Sequence, residues 1–191
     1  MIKIKCKRTL FILIIIIGCL QGKAQQVAIK SNLLYDAATV LNFGVELRFS
    51  PQWSMDISGN YAPFTFSDNR KIKHWLIQPE VRYWFCEAFN GHFLALHALG
   101  GEYNIGGVDM KVFPTNKNYR YQGYMYGAGL GYGYQFILSK RWNLGLEAGA
   151  GIIHAEYDQY NCPTCGNWVG KGYKNYIGLT KAAVSIIYII K

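Results

Sequence analysis

Between Tyr121 and Leu138 the bulky apolar side chains fall on one parity and glycine fills most of the other. Tyr124, Tyr126, Ala128, Leu130, Tyr132, Tyr134 and Phe136 alternate with Gly123, Met125, Gly127, Gly129, Gly131, Gly133 and Gln135. Successive strand residues face opposite ways, so the segment predicts a long strand with one aromatic face and one nearly bare face. Interior glycine weakens a strand. In a narrow closed barrel the bare face has a use, because small lumen-facing residues leave room for large side chains from other strands.

The same alternation predicts seven further strands, over 27–35, 42–50, 53–62, 73–85, 92–100, 142–152 and 174–191. Pro51 marks a turn, and Pro79, on the apolar parity, predicts a local bulge. Short connections alternate with long ones, the latter including Pro63–Lys71, Glu102–Arg120 and Ala155–Gly172. Together these predict an all-β fold: an eight-stranded, antiparallel, up-and-down transmembrane β-barrel of the outer-membrane type. Phe49, Trp53, Phe85, Phe136 and Trp142 gather at the short-turn ends, where an interfacial girdle belongs. A lipocalin-like soluble barrel reads the same alternation inside out. Glycines on the polar parity, aromatics at one end and alternating loop lengths favour the membrane form.

Ahead of the strands lies an export pattern. Lys3, Lys5, Lys7 and Arg8 precede the apolar run Leu10–Leu20, and Gly22-Lys23-Ala24 offers a cleavage site. The expected organisation is a cleaved signal peptide over 1–24 and one barrel domain over 25–191, in the outer membrane of a Gram-negative bacterium. The apolar run is about half the ~20 residues a spanning helix needs. Ile16-Ile17-Gly18-Cys19 offers a competing lipoprotein box, with Cys19 as the lipidated residue. Segment 1–24 holds five of the chain's 20 basic residues and none of its 11 acids, so the formal charge of +9 falls to +4 beyond it. No basic run with interleaved aromatics remains, and nucleic-acid binding is not suggested.

The polar parity collects Lys30, Glu46, Arg48, Asp56, Glu80, Arg82, Glu147 and Lys181, four acids and four bases. All eight are expected in the lumen, as a charge network filling an interior too narrow for a channel. Cys162 and Cys165 in the last long loop are a candidate disulfide in an oxidising compartment; a metal half-site or free thiols are the alternatives. Cys86 is expected as a small buried hydrophobe. His154 with Glu156 or Asp158, and His74 with Ser67, are conceivable acid–base pairs, but no nucleophile motif such as G-x-S-x-G accompanies them. The chain is therefore not read as an enzyme, and no catalytic residue, cofactor or metal is assigned.

Several phrases occur together: Ser31-Asn32-Leu33-Leu34-Tyr35-Asp36, His74-Trp75-Leu76-Ile77-Gln78-Pro79-Glu80, Arg82-Tyr83-Trp84 and Glu87-Ala88-Phe89-Asn90-Gly91-His92-Phe93. With Gly129–Tyr134, the Cys162/Cys165 pair and Thr180-Lys181-Ala182-Ala183, they make the chain resemble the domain of unknown function 3575 family of Bacteroidota outer-membrane proteins. The resemblance implies a small barrel without assigned activity, often encoded near fimbria-type adhesin genes. The expected role is structural or surface-interacting, with outer-membrane lipid and a surface or fimbrial protein as partners. A lipid-modifying enzyme and a narrow pore are the alternatives.

Overall fold

The computed structural model describes residues 26–64, 71–107, 119–161 and 166–190. The expected signal segment, Cys19, Cys162 and Cys165 lie outside the described residues. Eight antiparallel strands follow one another around a closed barrel. They are β1 (Val27–Asn32), β2 (Leu41–Ser50), β3 (Trp53–Ala62), β4 (Lys71–Trp84), β5 (Gly91–Gly106), β6 (Arg120–Ile137), β7 (Trp142–Tyr160) and β8 (Trp168–Ile189). Closure comes from β8 pairing back onto β1, with Ala28 opposite Ile189 and Asn32 opposite Ser185.

Strand length grows along the chain, from 6 residues in β1 to 22 in β8. The wall is therefore lopsided: low at β1–β3, and tall at β5–β8 on the side of the long connections. Three expectations change here. Segments 102–106, 155–160 and 168–172 are paired strand rather than loop. Residues 33–35 are not strand, because β1 stops at Asn32 and helix α1 (Leu33–Ala37) begins. Pro79 opens a gap in the β4–β5 ladder, but the register is the same on either side of it, so no bulge forms.

Asn32 explains why β1 stops. Its Oδ1 accepts from Leu34 N at 3.1 Å, capping α1, and from Val184 N at 3.1 Å on β8. Its Nδ2 donates to Ala182 O at 3.2 Å. One carboxamide thus caps a helix and continues the β8 ladder by one more step, satisfying backbone groups that the short strand leaves open. Asn42 supports it from β2, accepting from Asn32 N at 2.6 Å and donating to Asp36 Oδ1 at 2.7 Å.

Glycines serve two purposes. At Gly133 an added methyl would meet the Phe93 ring as well as Leu146 O at 2.6 Å, and at Gly129 it would lie 2.7 Å from His97 Nε2 and 2.6 Å from Ala150 O, so these positions make room for inward side chains as well as for close strand approach. At Gly101, Gly123 and Gly151 the obstacle is instead the backbone of the neighbouring strand, at Trp75, Glu156 and Ala128. There glycine permits tight coiling of the sheet, which room for side chains alone does not explain.

The outward face carries aliphatic side chains, including Val45, Ile57, Ile77, Leu96, Leu130, Leu146, Ile152 and Leu179. Leu130 is 70% exposed. Aromatic contacts bound it at the short-turn end: Trp53 packs on Tyr83 at 5.1 Å, His92 on Tyr134 at 4.5 Å, Tyr134 on Phe136 at 4.5 Å and Trp142 on Tyr188 at 4.9 Å. A second aromatic set lies at the opposite end, where Tyr126 and Tyr173 flank His154 at 5.2 and 5.6 Å. Trp75, Tyr124 and Trp168 join this upper set. They donate to Glu102 Oε2 at 3.2 Å, Glu156 Oε2 at 2.8 Å and Asp158 Oδ1 at 3.0 Å respectively.

Candidate functional site

Inside the barrel, seven of the eight charged candidates form one network. Arg82 on β4 is its centre, donating to Glu80 Oε1 at 2.6 Å, Glu46 Oε2 at 2.7 Å and Glu147 Oε2 at 2.7 Å. Lys30 lies 2.8 Å from Asp56 Oδ2 and 3.7 Å from Glu46 Oε2. Lys181 contacts Glu80 and lies 3.2 Å from Glu147 Oε1. Ser54 donates to Glu46 Oε1 at 2.6 Å and accepts from Trp84 Nε1 at 2.8 Å. The Arg82 guanidinium also lies over the Phe93 ring, 4.4 Å from its centroid.

Register places these groups at one level. Glu46, Asp56 and Glu80 are successive Cα partners across β2, β3 and β4. Three carboxylates in a row would repel one another, and the bases Lys30, Arg82 and Lys181 reach in from β1, β4 and β8 to separate them. Buried charges persist only when paired and hydrogen-bonded, and all seven residues are buried.

Arg48 lies apart, which corrects its expected place in the network. It sits near the short-turn rim, 3.2 Å from Glu87 Oε1 and 3.2 Å from Gln26 Oε1, and the Glu87 side chain is 62% exposed. The network therefore holds four acids against three bases.

Below the network the lumen is corked. The β4–β5 connection folds inward, so that Ala88 and Phe89 are buried with Trp84, Phe93, Ala28 and Ile187. Phe89 takes a φ of +70°. Ala88 N donates to Pro51 O at 2.8 Å, and Asn143 Nδ2 donates to Phe89 O at 2.9 Å. Cys86, in the same connection, is exposed rather than buried.

The histidines occupy separate environments. His97 is buried in the lumen, its Nε2 2.8 Å from Thr180 Oγ1. Thr180 is the extra β8 residue at a register shift opposite Gly149 and Ala150. This contact was not legible in the sequence, because a shift of register moves a residue to the other face without any change in pattern. His154 faces outward, 3.8 Å from Glu156 Oε1. His74 is half-buried near the upper rim, and Ser67 lies outside the described residues. Among the described residues no group of three or more His, Cys, Asp or Glu is placed to hold a metal ion.

The sequence model of one family, described as "Protein of unknown function (DUF3575)", matches residues 10–190. No curated protein and no solved structure matches the chain.

Proposed function

Because the chain belongs to this family, whose description assigns no activity, we propose its role from its own surfaces. It is a small outer-membrane β-barrel with a structural or surface-interaction role. The barrel wall is its anchor, and the tall end built by β5–β8 is its working surface. The observation that carries the reading is the outward face. An aliphatic band lies between two aromatic sets while the acidic and basic side chains of the network point inward, the reverse of what water outside the barrel would select. An Arg or Lys on the outward face at mid-depth would cost about 2–4 kcal/mol.

The interior supports an anchor over a pore. A paired-ion layer fills the middle of the lumen, and an apolar cork closes it at the short-turn end. In this reading short turns face the periplasm and the tall wall stands outside the cell. There the outward positions turn polar, at Asn104, Gln122, Asp158 and Lys171. Its partner is a surface component of the cell, a fimbrial subunit being the one implied by the family resemblance.

The test is co-purification after cross-linking in native membranes, comparing the wild type with Tyr173→Ala and Lys171→Glu at the wall's upper edge. Loss of the cross-linked partner with normal barrel assembly is expected. Unchanged capture by both variants contradicts the tall wall as the contact surface.

A further inference from the structure

Where β3 leaves the ring, Tyr61 and Pro63 flank a groove of about 510 Å³ whose lining runs across β4 to β7. Two adjoining register rows on the outward face build it: Trp75, Glu102 and Tyr124 in one, Asn104, Gln122 and Asp158 in the next. It thus alternates aromatic rings with planar amides and carboxylates at the level where the aliphatic band ends. The hydrogen bond from Trp75 Nε1 to Glu102 Oε2, at 3.2 Å, fixes the indole plane.

This combination suits one ligand chemistry. A pyranose ring presents a C–H face that packs on an aromatic ring, and a rim of hydroxyls that both donate and accept. Asn and Gln amides offer both capacities side by side, and carboxylates accept. A purely apolar ligand would leave Asn104 Oδ1, which is buried without a hydrogen-bond partner, still unsatisfied. The local charge narrows the choice. Among the residues that line the groove, Glu102 and Asp158 outnumber Lys73, while Lys171 lies 3.9 Å from Asp158 Oδ1 and Arg120 is held over the Tyr160 ring, 4.3 Å from its centroid. In the lining a phosphate group would face two carboxylates and one lysine, whereas an amino group would find two acceptors of opposite charge.

We infer that this groove binds a saccharide that is uncharged or carries amino groups. The inference rests on the outer-membrane reading for the side of the membrane the groove faces; its chemistry comes from the lining alone.

The experiment uses the full chain in phosphatidylcholine nanodiscs and titrates three probes by calorimetry. These are an N-acetylglucosamine tetrasaccharide, its deacetylated amino counterpart, and the same N-acetylated tetrasaccharide bearing a terminal phosphate. The first two are expected to bind, with the phosphorylated probe weaker by about tenfold or more. Trp75→Leu and Gln122→Ala should each weaken the unphosphorylated tetrasaccharides by about tenfold, whereas Leu94→Ala, outside the groove, should not. Gln122 is exposed, so its truncation leaves the fold intact, as heat-modifiable gel migration would show. Absence of binding by both unphosphorylated tetrasaccharides, equal binding of the phosphorylated probe, or indifference to both groove variants overturns the inference. Flotation of the same protein with vesicles keeps the two readings apart: floating without sugar binding overturns the groove alone, and failure to float overturns the membrane anchor.

Discussion

Arg82 and Glu147 meet across the inside of the barrel, Nη2 donating to Oε2 at 2.7 Å, although β4 and β7 are not neighbours in the sheet. The contact ties opposite walls together in a lumen that water scarcely reaches. Arg82→Met removes the shared partner of Glu46, Glu80 and Glu147 and leaves four buried acids against two bases, Lys30 and Lys181. The expected loss is about 3–5 kcal/mol of unfolding free energy in micelles. Arg48→Met, whose partner Glu87 is largely exposed, should cost no more than about 1 kcal/mol. Urea titrations of the two variants measure the difference directly.

Depth along the outward face should set the tolerance to charge. Leu130→Arg places a guanidinium amid the aliphatic band and is expected to cost about 2–4 kcal/mol of folding into bilayers. Tyr173→Arg, beyond the band on the tall wall, should cost about 0–1 kcal/mol. Folding yields into vesicles across a urea series give both values. Equal costs at the two sites would contradict the assigned band.

Gly133 and Phe93 pack so closely that the pair should behave as one unit. Gly133→Ala drives a methyl into the Phe93 ring, and overpacking of this kind costs about 1–3 kcal/mol. Adding Phe93→Leu should recover part of that loss. A double-mutant cycle showing additive costs would mean that the obstacle at Gly133 is Leu146 O, 2.6 Å from the added methyl, rather than the ring.

Asn32 is predicted to matter beyond its size. Asn32→Ala removes a helix cap, worth about 0.5–2 kcal/mol, and also opens Val184 N and Ala182 O on β8. Asn32→Asp keeps an acceptor for Leu34 N and Val184 N but loses the donation to Ala182 O, so it should fall between the two. Hydrogen exchange at the Val184 amide reads the seam, with faster exchange expected in the alanine variant.

Particular elements show why some of this was legible in the sequence. β3 was readable to its ends, Trp53 and Ala62, because strict alternation begins just after the Pro51 turn and every outward residue is apolar. The glycine strand was readable for the same reason. The upper parts of β5, β7 and β8 were not. Outward positions there become Glu102, Asn104, Glu156, Asp158 and Asn175, while Tyr103 and Tyr157 point inward. Alternation reports a contrast between two environments, and it fades where both faces are mixed. α1 was hidden because Leu33, Leu34 and Tyr35 fit a strand pattern as readily as one helical turn; the cap by Asn32 was the available signal.

The charge network was half legible. Parity placed Glu46, Glu80, Arg82 and Glu147 on the inner face, yet Arg48 shares that parity and lies apart from them. What the sequence lacks is the stagger between strands, so distance from a turn does not translate into depth. Stagger appears only once the register is known, when Glu46 falls opposite Asp56 and Asp56 opposite Glu80.

The orientation of the wall is the claim on which the anchor, the buried network and the outer working surface all depend. A nitroxide attached at Leu130→Cys, in protein reconstituted into liposomes with Cys86, Cys162 and Cys165 replaced by serine, tests it most directly. Collisions with dissolved oxygen should dominate over those with a water-soluble nickel chelate, as for a probe among acyl chains. Dominant collisions with the nickel chelate at that site would place the aliphatic band in water and contradict the account.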